Sequence, residues 1–189
     1  MRPGGALQGA GFGCMKAERG ITAVDDALRK ARMWLSNVTP LKNDCGRLCG
    51  AACCAPDEDG QGGMLLFPGE EALYSTLPEG FSLKEDHSVL PGMTLLTCSG
   101  QCDRTNRPLA CRLFPLTPVL KEDGRIALRM DPRAFSCCPL AENGPRALDP
   151  AFIDAAREAA RELCQSDENK AYLTALIPYF ESLRRELGD

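Results

Sequence analysis

At 189 residues the chain is long enough to bury one hydrophobic core, so it needs no staples merely to fold. Apolar residues make up 44% and charged residues 25%, the mix of a globular rather than a disordered protein. A formal net charge of −4 with no basic block gives nucleic-acid binding no support, and no apolar run approaches the ~20 residues of a membrane helix.

Residues 1–20 are rich in Gly and lack the apolar core of a secretion signal, so they read as a mobile tail and the expected compartment is the cytoplasm. Residues 21–189 read as one domain without internal repeats. A helix is expected over 22–38, where Val24, Ala27, Leu28, Ala31, Leu35 and Val38 follow helical spacing, Thr22 is a candidate cap and Pro40 lies just beyond. The acidic, Gly-rich run 56–63 lacks the alternating acidic positions of a calcium loop and reads as a solvated turn. Met64 to Phe67 reads as a short strand, and Pro68-Gly69-Glu70-Glu71 as the start of a short helix with acidic residues in its first turn.

Met93–Thr97 reads as a strand, and Val119–Met130 as a hairpin turning at Asp123-Gly124. The single histidine, His87, lies in a polar run and reads as a surface residue. Asp149 as cap, followed by Pro150, starts a helix whose inner face is Phe152, Ala156, Ala160 and Leu163. A last helix is expected to about Leu187, kinked or broken at Pro178. Together these predict an α+β fold: a small antiparallel sheet, flanking helices including the C-terminal pair over 149–187, and irregular Cys-rich loops.

The eleven cysteines carry the chemistry. Cys45, Cys49, Cys53 and Cys54 fall within ten residues; Cys98, Cys102 and Cys111 form a second group, and Cys137-Cys138 a third. In a reducing compartment such clusters point to metal ligands or redox groups rather than structural disulfides, and the odd total opposes a fully paired framework. Thiolate is a soft ligand that selects zinc, copper(I) or iron–sulfur centres. The spacing Cys-x3-Cys-x3-Cys-Cys is neither a zinc-ribbon knuckle nor the bacterial ferredoxin run. If the segment is helical, Cys45, Cys49 and Cys53 share a stripe and Cys54 points roughly 100° away, so adjacent thiols are able to serve different centres. An irregular loop is the alternative. With Cys138 the clusters supply eight thiols, enough for two four-Cys sites; one site or two stays open. Cys14 and Cys164 are expected to be bystanders.

The Cys45–Cys54 segment, followed by Arg107-Pro108-Leu109-Ala110-Cys111-Arg112-Leu113-Phe114-Pro115, resembles the CxxCxxCC family of zinc- or iron-chelating domains, often called YkgJ-type. The likeness spans roughly residues 45–140, with each gap in the first cluster one residue longer than the family pattern. It implies a site for an iron–sulfur cluster or zinc; with one histidine in the chain the site is expected to be all thiolate, and the count above makes Cys45, Cys49, Cys53, Cys54, Cys98, Cys102, Cys111 and Cys138 its candidate ligands. Arg107 and Arg112 are expected to offset thiolate charge and donate hydrogen bonds to sulfur. The functions this suggests are electron transfer or redox partnering with an unknown protein, a zinc-stabilised interaction module, or an accessory domain of a protein-modifying enzyme. No catalytic constellation or nucleotide-binding Gly motif supports a particular reaction.

Overall fold

The computed structural model describes residues 26–55, 62–100 and 102–187. Thr22, Cys14, the expected tail and most of the acidic 56–63 run lie outside the described residues. The architecture is α+β: helices α1 (Asp26–Trp34), α2 (Gly46–Cys49), α3 (Leu109–Leu113), α4 (Pro150–Leu163) and α5 (Asp167–Leu187), with strands β1 (Gly62–Leu65), β2 (Phe81–Asp86), β3 (Met93–Cys98), β4 (Leu116–Leu120) and β5 (Ile126–Met130). Among the described residues no helix is long and apolar enough to cross a membrane.

The strands form two antiparallel sheets rather than one. β3 is the centre of a three-stranded sheet between β1 and β2, and β4–β5 is a separate hairpin. The hairpin closes where expected: Lys121 N–H donates to the Arg125 carbonyl at 3.0 Å, and Gly124 takes the left-handed conformation (φ 75°) that the turn needs. The hairpin strands need a covering layer for their apolar residues. α4 and α5 pack on β4, and α4 also on β5, while α1 lies along α4.

α4 starts as its sequence dictates. The Asp149 carboxylate accepts the Ala151 N–H at 2.8 Å, Pro150 occupies a position whose N–H would have no partner, and Phe152, Ala156, Ala160 and Leu163 are fully buried. α5 runs through Pro178 without interruption; that proline is on the exposed side, where the freed carbonyl meets water. α1 stops at Trp34, four residues short of the expected end. Arg104 draws the next carbonyls away from helical bonding, taking Leu35 O at 3.0 Å and also Val38 O. Met33 and Trp34 are left exposed at this end. His87 sits on the surface, its Nδ1 accepting the Gly92 N–H at 3.1 Å.

Candidate metal centre

Four chain segments bring their thiols to the C-terminal end of β3. In the first, α2 carries Cys49 and ends at Gly50 (φ 61°), and Ala51 is left-handed as well (φ 58°). Two left-handed residues in a row break the helix, and Ala52–Cys54 forms a separate 3₁₀ turn. The single helical stripe of thiols is therefore absent; Cys53 and Cys54 stand on their own turn. A side chain with a Cβ pays roughly 1–2 kcal/mol for left-handed backbone, so Ala51 is a strained position beside the thiols. In the second segment, Cys98 ends β3, paired with Phe81 of β2 on one side and Gly62 of β1 on the other.

The third segment is α3. Leu109, Arg112 and Leu113 are buried on one face, and Cys111, two residues on from Leu109, emerges on the other. Pro108 provides no side-chain cap; Glu70 does so from a distance. Its carboxylate is fully buried and accepts from Leu109 N at 2.7 Å, Phe67 N at 3.2 Å and Arg32 Nη1 at 2.7 Å. Burial pushes the Glu70 pKa up, while Arg32 and the two backbone donors act against that shift.

The loop leading into α3 is held by side chains along its length. Arg112 donates from Nε to Arg107 O (3.0 Å) and from Nη2 to Arg104 O (3.1 Å) and Thr105 O (3.0 Å). Tyr74 OH donates to Asn106 O at 3.0 Å. Four successive carbonyls thus have side-chain partners that hold the loop in place. Two of the arginines foreseen from the sequence therefore face different ways. Arg112 reaches one cavity of the site, but these three donations go to backbone oxygen. Arg107 leaves the held loop for the thiols: its guanidinium interacts with the Cys102 thiol and feels the charges of Cys54 and Cys111, while its Nε is buried with no hydrogen-bond partner among the described residues.

The fourth segment follows β5. Asp131, 1% exposed, accepts Arg133 N (3.0 Å), Arg133 Nε (2.9 Å) and Nη2 (2.7 Å), and Thr117 Oγ1 (3.1 Å). This caps the 3₁₀ turn Pro132–Ser136 that delivers Cys137 and Cys138. The Cys137 thiol turns back to the Arg133 carbonyl at 3.5 Å.

The thiols meet around two adjoining cavities of about 50 and about 40 Å³, each several times the space one water needs. Cys54, Cys98 and Cys102 line the first, with apolar walls from Phe81 and Leu96. Cys45, Cys49 and Cys138 line the second, beside Arg104 and Arg112. Cys53, Cys111, Arg107 and Phe114 line both. All eight expected ligands are brought together; Cys137 lines neither cavity, and Cys164 packs at the end of α4. The thiols converge without closing: among the described residues no three His, Cys, Asp or Glu side chains are arranged to hold a metal ion.

Burial and crowding also act on the ionisation of these thiols. Burial, then the neighbouring thiols Cys54, Cys102 and Cys98, pushes the Cys111 thiol well above the ordinary range. Although part of its surface faces the cavities, its position is deep in the fold. Burial also raises Cys45, Cys102 and Cys137. Cys53 is raised because its thiol donates to Cys54, and Cys54 is lowered to about 6 by that hydrogen bond and by Arg107. Thiols that resist ionisation one by one ionise together when a cation replaces their protons.

The signal for the converging thiols was the cysteine spacing. The positioning roles of Glu70 and Asp131 on two of the cysteine segments were missed; Glu70 reads in the sequence only as an acid in a helix's first turn, and Asp131 only as the residue before Pro132. No protein-family model, curated protein or solved structure matches the chain. The likeness to the CxxCxxCC family rests on its motif alone.

Proposed function

We propose that this is a cysteine-rich metal-binding protein that holds an iron–sulfur cluster or zinc through thiolates alone. The observation that carries the reading is the convergence of eight cysteines from four separate segments on two adjoining cavities with Arg107 between them. The donor set fits: it is all sulfur, the soft chemistry of zinc and iron–sulfur centres. The buried Arg107 Nε, without a partner among the described residues, fits an N–H to sulfur hydrogen bond.

Cys45, Cys49, Cys53, Cys54, Cys98, Cys102, Cys111 and Cys138 would hold the metal. A bound iron–sulfur centre supplies one-electron chemistry, and bound zinc supplies a cross-link between segments. Arg107 offsets thiolate charge, Arg112 fixes the loop that aims Arg107, and Phe81, Leu96 and Phe114 keep water away from sulfur. In the iron–sulfur form the protein is an electron carrier or redox partner of another protein; in the zinc form it is a metal-stabilised interaction module. Anaerobic purification with visible absorption, metal and acid-labile sulfide analysis tests the reading. Visible sulfur-to-iron charge-transfer bands with sulfide identify the first form; a colourless chain with stoichiometric zinc identifies the second. A chain that binds neither after reduction and loading defeats the proposal.

A further inference from the structure

We infer that the eight thiols form two separate four-thiolate centres, Cys45, Cys49, Cys53 and Cys138 in one and Cys54, Cys98, Cys102 and Cys111 in the other, joined through the Cys53–Cys54 peptide bond. This rests on the thiolate–metal reading above and adds to it the number of centres and the division of ligands.

Each cavity has three cysteines of its own. Cys54, Cys98 and Cys102 face only the first, and Cys45, Cys49 and Cys138 only the second. Cys53 and Cys111 line both, so each cavity gains a fourth ligand if they divide between the two. Their surroundings decide the division. Cys111 feels the charges of Cys54, Cys102 and Cys98, all of the first cavity, whereas Cys53, apart from its adjacent partner Cys54, feels those of Cys137 and Cys45, the latter of the second.

The backbone supports the same division. Successive residues of a 3₁₀ turn project roughly 120° apart, so Cys53 and Cys54 leave their turn in different directions while their thiols stay neighbours. The left-handed Gly50-Ala51 step detaches that turn from α2 and frees it to sit at the boundary of the two cavities. Charge is consistent too. A tetrathiolate zinc site carries a double negative charge, and two such sites side by side repel unless a cation lies between them. Arg107 lines both cavities, and Arg104 and Arg112 border the second. Cys137 is left over: its thiol is given to the Arg133 carbonyl, and it faces neither cavity.

The test loads the reduced, metal-free full chain anaerobically with Zn²⁺ alone and, in parallel, with Fe²⁺ plus sulfide. In the arm that binds, Cys45→Ser/Cys49→Ser and Cys98→Ser/Cys102→Ser should each keep half of the wild-type load, and the four substitutions together none. Cys137→Ser/Cys164→Ser should keep all of it. Because a double variant can fail to fold, the wild-type chain is also alkylated at rising metal and mapped by mass spectrometry. Protection should fall into two blocks of four, with Cys53 and Cys54 in different blocks. Loss of the whole load in either folded double variant, or protection of all eight thiols as one block, overturns the two-centre division and indicates one fused centre. Binding in neither arm overturns the thiolate–metal reading itself.

Discussion

The Glu70 carboxylate caps the helix that carries Cys111, accepting the Leu109 N–H at 2.7 Å from 39 residues earlier in the chain. The same oxygen takes Arg32 Nη1, also at 2.7 Å, so one buried side chain ties α1 to the start of α3. Glu70→Ala leaves Arg32 without its carboxylate and Leu109 without a cap. Removing one partner of a buried pair costs about 3–5 kcal/mol, and Glu70→Gln, which keeps a hydrogen-bonding side chain, should cost less. Denaturant unfolding of the metal-free chain measures both. Wild-type stability in Glu70→Ala would show that the cap is dispensable.

Asp131 plays the matching part for the last cysteine segment. Asp131→Ala removes four hydrogen bonds at the turn before Cys138 and should cost about 1–3 kcal/mol. Its effect on metal should be local. The centre containing Cys138 should load poorly while the Cys98 and Cys102 thiols remain protected from alkylation. Equal loss of protection at both cavities would count against this role.

The Cys53–Cys54 pair predicts a pH dependence in the reduced, metal-free chain. Hydrogen bonding from Cys53 and the charge of Arg107 hold the Cys54 thiol at about 6, below its ordinary value of 9.0. Between those values the folded chain binds fewer protons than the unfolded one, so this contribution to stability grows as pH rises through the window and is lost as pH falls through about 6. Above 9.0 the raised thiols Cys53 and Cys111 act in the opposite sense, since the folded chain then keeps protons the unfolded one has released. Alkylation of Cys54 against pH should show a midpoint near 6, moved upward by Cys53→Ala and by Arg107→Ala. An ordinary thiol midpoint in the wild-type chain would refute the pairing.

Much of the fold was legible because local chemistry and burial agree. Asp149 with Pro150, the apolar face of α4 and the Asp123-Gly124 turn each carry their own physical cause. The grouping of the cysteines was legible from spacing, and the possibility that Cys53 and Cys54 diverge was visible in their adjacency. The means was not: the expected helical stripe is broken at Gly50-Ala51, and nothing in an alanine announces left-handed backbone. The single expected sheet became two because β3 finds partners on both edges, β1 and β2, and leaves the hairpin to α4 and α5. Arg107 and Arg112 flank Cys111 in the sequence and look alike there. Only the fold shows that three backbone carbonyls claim Arg112, while Arg107 reaches the thiols. Glu70 was read as a first-turn acid, since its partners Arg32 and Leu109 are nearly forty residues away in either direction.

X-ray absorption at the metal edge of the anaerobically loaded full chain tests the central claim most directly. A shell of sulfur alone is predicted, near 2.3 Å if the metal is zinc, with no nitrogen or oxygen in the first coordination sphere. A first sphere of nitrogen or oxygen would contradict an all-thiolate site.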